Sequence, residues 1–241
     1  MLKRRLPLLI VVSLCITIFL LGLFLYQPRW ALMLLERRSP KVIYSIDTRE
    51  RAVALTLDDG PDSDSTPKIL ELLQEEDVPA TFFLISSRVP GNEDLVQRMV
   101  EEGHEIANHM TYDIPSIFYS PASFEKELLS AHETLSSFSE IYWFRPASGW
   151  YSPSMLATLD KHQYRCALGS VYPFDAKLPS AEFAKRYILW RVHPGSIIVL
   201  HDNGTRGERA LDTLRVVLPE LKDRGFSFLT LSELVDLEEG K

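Results

Sequence analysis

AVALTLDDGP, residues 52–61, decides how the rest of the chain is read. The run 52–57 has the composition of a β-strand and ends in a Gly60-Pro61 turn, with Asp58 and Asp59 between them. Adjacent carboxylates repel unless a cation or a shared proton relieves them, so the pair points to chemistry at a strand end rather than to loop filler. Asp, Gly and Pro are also ordinary turn residues, and an isolated DDGP would be explained by a turn alone.

The pattern repeats outward from this strand. Further strands are expected at 80–85, 105–108, 143–145, 166–170, 196–200 and 226–231, and helices at 65–76, 93–103, 121–138, near 153–162, at 180–191 and at 209–225. Strand and helix alternating about seven times predict a parallel sheet, and closure into a barrel hides its edges. No Gly/Ser-rich linker or repeat interrupts residues 51–241, which predicts one domain there.

In parallel α/β folds, ligands gather at the C-terminal strand ends. The third strand runs into His109, with Asp113 four residues on, at the same end of the sheet as Asp59. One imidazole and two carboxylates leave open positions on a divalent ion, as a hydrolytic metal needs. Asp113 has a second reading, as a cap on the turn at 114–116. Arg145, Asp175 and His201 follow later strands at the same end.

TLDDGP (56–61), GHEIANH (103–109), FRPASG (144–149), Asp175 and IIVLHD (197–202) resemble, in order and spacing, the motifs of the polysaccharide deacetylases of the NodB-homology type, carbohydrate esterase family four. The resemblance covers about residues 51–232. It implies a distorted (β/α)7 barrel, with Asp58 as general base and Asp59 and His109 as ligands of a divalent metal, usually zinc. It also implies that Arg145 orients the base, that Asp175 tunes His201, and that His201 protonates the leaving amine. Leu200 and nearby apolar residues would form the pocket for the acetyl methyl group.

Three motifs depart from the family pattern. Asp113 stands where a second metal-binding histidine is usual, and a carboxylate there shifts metal preference somewhat toward magnesium, manganese or calcium; zinc remains the expected ion, with manganese, cobalt or magnesium as alternatives. Ala147-Ser148-Gly149-Trp150 replaces Pro-Tyr-Gly, and Asp175-Ala176 replaces Asp-Trp. Stacking surfaces for substrate would then come from Trp150, Tyr151, Tyr172 and Phe174.

The N-terminal fifth has a different character. Residues 1–5 are basic, residues 6–26 carry no charge for 21 positions, and residues 27–50 form a juxtamembrane stalk. At about 1.5 Å per residue the uncharged run matches a hydrocarbon core, and no small-residue cleavage site follows it. A single-pass anchor is expected, with the N-terminus cytoplasmic and the catalytic domain, 51–241, on the extracytoplasmic side. Eight bases and three acids fall in residues 1–50, which leaves eighteen and thirty, a formal charge of −12, for residues 51–241. Such a surface disfavours nucleic acid as a partner. Cys15 and Cys166 predict no disulfide in the soluble part. His132 and His162 read as surface residues and His193 as a turn residue, while His104 reads as support for the site or as a packed edge residue.

The expected function is metal-dependent hydrolysis of N-acetyl groups on a chitin-like, peptidoglycan or other envelope glycan. The alternatives are an amide or imide hydrolase on the same barrel, and a glycan-binding protein with a decayed metal site.

Overall fold

The structure, a computed structural model, describes residues 2–26 and 28–239 and divides into two units, Met1–Pro40 and Lys41–Lys241. The first holds helices α1 (Leu2–Tyr26) and α2 (Arg29–Arg38). α1 covers the uncharged run, but several of its side chains lie outside those described. Counting described residues only, no helix is long and apolar enough to cross a membrane. The expected anchor therefore rests on its sequence.

In the second unit the chain runs β1 (Val42–Ile43), β2 (Ala52–Asp58), α3 (Thr66–Glu75), β3 (Thr81–Leu84), α4 (Glu93–Glu101), β4 (Glu105–Asn108), α5 (Pro121–Leu135) and β5 (Trp143–Phe144). It continues through α6 (Pro153–Lys161), β6 (Arg165–Ala167), α7 (Ala181–Arg191), β7 (Ile197–His201), α8 (Gly204–Asp223), β8 (Ser227–Leu229) and α9 (Leu231–Glu239). All strand pairs are parallel, in the order β1-β6-β5-β4-β3-β2-β7, with β8 pairing the start of β2. A parallel bridge from Val171 to Ile198 draws the segment after β6 against β7, and the sheet curls into a half-barrel.

The seven expected strands are all present, and three differences concern what surrounds them. The compact unit begins at Lys41, because β1 pairs with β6 and Val42, Tyr44 and Ile46 are buried in the segment read as stalk. α9 follows β8, with Leu231, Leu234 and Val235 in the core. α8 starts at Gly204, a full turn before the expected 209.

Local chemistry sets the helix starts. Ser120, Ser152 and Ser180 accept hydrogen bonds from the N–H groups of Ser123, Met155 and Phe183, and Pro121 and Pro153 occupy first helical positions. Inside the barrel Ala52, Ala54, Ala107 and Ala167 pack against Phe83 and Trp143, small residues making room for large ones. Strand alternation carries the Ala52 and Ala54 face on through Thr56 to Asp58, so that the row of core residues ends in a carboxylate.

Gly195 ties the β7 approach to the segment before β2. Its φ is +77°, and a Cβ there would lie 1.8 Å from the Ile46 carbonyl oxygen. Gly195→Ala should therefore destabilise the protein by about 3 kcal/mol or more in denaturant titrations. An unchanged midpoint would mean that the two segments do not meet this closely.

Candidate active site

The C-terminal ends of β2, β4, β5 and β7 converge. Asp58 closes β2 and pairs in register with His201 at the end of β7. His109 and Arg145 directly follow β4 and β5. Asp58, Asp59, His109, Arg145 and Asp175 are all buried. Four non-glycine residues with positive φ adjoin them: Asp59 (74°), Met110 (75°), Ser148 (67°) and Phe174 (59°). Left-handed backbone at non-glycine positions costs of order 1–3 kcal/mol each, and such residues cluster at active sites and ligand clamps in proteins generally.

Arg145 is the most heavily tied group. Its Nη1 donates to Asp58 Oδ1 at 2.6 Å and to Thr56 Oγ1 at 2.8 Å, while Nε and Nη2 each donate at 3.0 Å, to the Ala167 and Leu168 carbonyls. The guanidinium also lies 3.9 Å from the Phe83 ring centre. Asp58 is thus held as the partner of a fixed cation, and its second oxygen has no hydrogen-bond partner among the described residues.

Asp175 grips His201 at two points. Oδ1 lies 3.0 Å from His201 Nδ1, and Oδ2 accepts the His201 backbone N–H at 2.9 Å. This leaves Nε2 free to donate. Burial alone would push the imidazole pKa down, but the Asp175 carboxylate, with Asp58 and Asp59, overrides it and raises the value to about 9. The ion pair therefore stabilises the fold fully below the ordinary histidine range and loses that contribution as pH rises through about 9. Asp175→Asn should move the alkaline limb of the rate profile about one to two units lower, because the proton is then lost earlier. An unmoved limb would remove His201 as the group that titrates there.

The proposed metal residues do not all come together. His109 Nδ1 lies 2.8 Å from the Arg145 carbonyl oxygen and Nε2 lies 3.5 Å from Asp59 Oδ1, which brings two potential ligands together. Asp113 stands apart. Its side chain is 43% exposed against 3% for Asp59, and its carboxylate lies 3.8 Å from Arg88 and 4.0 Å from Arg206. Among the described residues no three His, Cys, Asp or Glu side chains are placed to hold one ion. Arg206 Nη1 sits 2.7 Å from Asp59 Oδ2, on the carboxylate expected to carry the metal. As arranged, the residues do not fit the three-ligand centre expected for zinc, manganese, cobalt or magnesium. Burial would raise the Asp59 pKa, but the His109 hydrogen bond and the charges of His109, His201 and Arg206 hold it well below the usual carboxylate range. The His109 imidazole is pushed up, burial being outweighed by Asp58 and Asp59.

The expected substrate residues divide. Trp150 is exposed at the turn after Arg145, and Tyr172 packs edge-on against His201, ring centres 6.0 Å apart. Leu200 is fully buried, and alternation along β7 places it on the face opposite Ile197 and His201. Val199 shares the His201 face. In the Arg145 turn the Ala147 N–H is taken by Ser116 Oγ at 3.1 Å, whereas the Ser148 N–H has no partner among the described residues. Of the other histidines, His104 lies buried at the opposite end of β4 and accepts the Ala80 N–H. His132 is half-buried rather than free on the surface. It bonds Tyr164 Oη at 2.7 Å, and Tyr164 in turn receives Asn108 Nδ2 beside His109.

Sequence reasoning missed Arg206, because the first turn of α8 carries two glycines and reads as loop. The signal lay in Gly204-Thr205-Arg206-Gly207 directly after the His201-Asp202 strand end.

The polysaccharide deacetylase family model matches residues 45–167. A peptidoglycan-N-acetylglucosamine deacetylase of Bacillus cereus is 33% identical over 197 residues, 80% of this chain and 92% of that protein. A solved peptidoglycan N-acetylglucosamine deacetylase superposes with TM-score 0.77 at 30% identity, covering 81% of this chain and 93% of its own. A family 4 acetyl xylan esterase from Clostridium thermocellum, in complex with a cobalt ion, reaches 0.72 at 32% identity, with 77% and 91% coverage. The chain belongs to the polysaccharide deacetylase family, a family of hydrolytic enzymes.

Proposed function

We propose that this chain removes acetyl groups from the amide nitrogen of an N-acetylated glycan, releasing acetate and a free amine. The observation that carries this reading is the pairing of a base and an acid at one strand end: Asp58 fixed by Arg145, and His201 fixed by Asp175. Asp58 takes a proton from water as the oxygen adds to the acyl carbon. The Ser148 N–H is the backbone donor available to the carbonyl oxygen as it gains charge. His201 then gives its Nε2 proton to the nitrogen, the C–N bond breaks as the carbonyl re-forms, and Asp58 loses its proton to solvent while His201 regains one from it. Binding without turnover would need neither pair.

Trp150 and Tyr172 are the sugar-stacking surfaces in this reading, with Val199 behind the methyl group. The uncharged run at 6–26 anchors the chain with its catalytic unit outside the cytoplasm, which suits an envelope glycan such as peptidoglycan. The test is acetate release by the full chain from chito-oligosaccharides, peptidoglycan fragments and small cyclic amides. Release from the glycans is expected. Release from cyclic amides alone would assign an amide or imide hydrolase, and retention without release would assign a binding protein.

A further inference from the structure

We propose that Arg206 takes the place of a divalent ion at Asp59, so that the site is neutralised by its own guanidinium and holds metal only weakly. The activity arm of the test rests on the deacetylase reading above, whereas the binding arm does not.

Three buried carboxylates of the site each have a cation within 3.0 Å: Asp58 has Arg145, Asp175 has His201, and Asp59 has Arg206. A dication beside Asp59 and His109 would meet the Arg206 charge on the same carboxylate and would have to displace it. The placement of Arg206 is built into the fold. Asp62 Oδ2 accepts the Gly204 N–H at 3.1 Å and fixes the first turn of α8 beside the strand ends. At Gly207 a Cβ would lie 2.2 Å from Ser65 Oγ, so only glycine lets that turn sit where Arg206 reaches Asp59.

The same arrangement explains Asp113. A carboxylate near Arg88 and Arg206 supports a guanidinium, while a histidine there would offer a ligand to metal and no countercharge to arginine. The departure at residue 113 and the arginine on Asp59 are then one substitution of cation chemistry made in two places.

The test is calorimetric titration of the full chain in detergent with Zn2+ and with Co2+, alongside Arg206→Ala and the double variant Arg206→Ala/Asp113→His. Weak binding by the parent is expected, with at least about tenfold tightening on removal of the arginine charge and the tightest binding in the double variant. Stoichiometric binding by the parent, or weak binding that Arg206→Ala does not tighten, would overturn the proposal. If Arg206→Ala fails to fold by circular dichroism, the parent decides alone: tight one-to-one binding overturns the proposal and weak binding upholds it. Acetate release by the parent should survive exhaustive chelation, and loss that zinc restores would also overturn it. Absence of acetate release under every condition, with the binding results as expected, would count against the deacetylase reading and leave this one standing.

Discussion

Asp58→Asn should lower acetate release by about a thousandfold, the scale of losing a positioned general base. Asparagine keeps an oxygen that can accept from Arg145 Nη1, so the interaction now at 2.6 Å need not be lost with the charge. The unfolding free energy should therefore fall by no more than about 2 kcal/mol, the cost of weakening one charge-assisted hydrogen bond. Turnover measured beside denaturant unfolding separates the two effects. Activity within tenfold of the parent would remove Asp58 as the base.

The largest effect on stability is expected at Arg145. Arg145→Met removes donors to two carbonyls, to Thr56 and to Asp58, and strands the Asp58 carboxylate in a buried position. Breaking one side of a buried ion pair costs about 3–5 kcal/mol, which chemical denaturation would read directly. Asp58→Asn/Arg145→Met should recover part of that loss, because the unpaired charge is gone. A double variant whose loss equals the sum of the singles would show that the pair is not coupled.

Much of the barrel was legible in the sequence because its strands are short apolar runs closed by turn residues, and because period-2 alternation continues into the polar residue at each end. Asp58, His109, Arg145 and His201 follow from that logic: each lies at or just past the end of a strand whose preceding residues are core. What the sequence concealed depends on tertiary approach. β1 has two residues and becomes a strand only by pairing with β6. The first turn of α8 carries Gly204 and Gly207, poor helix formers in isolation, and is fixed by Asp62 and by close approach to Ser65. The spacing of Asp113 to His109 suggests a ligand, but spacing does not show that two arginines from other segments, Arg88 and Arg206, lie within 4.0 Å of its carboxylate. The motif resemblance points to Leu200, whereas alternation along β7 puts Val199, and not Leu200, on the face of His201.

The most direct measurement is incubation of the parent chain with N-acetylglucosamine oligomers in heavy-oxygen water, with acetate and free amine quantified by mass spectrometry. Water attack on the acyl carbon predicts equal amounts of both products, one heavy oxygen in the acetate, and loss of the signal in Asp58→Asn. Oligomers and peptidoglycan fragments that bind but release no acetate, or acetate that carries no label, would contradict it.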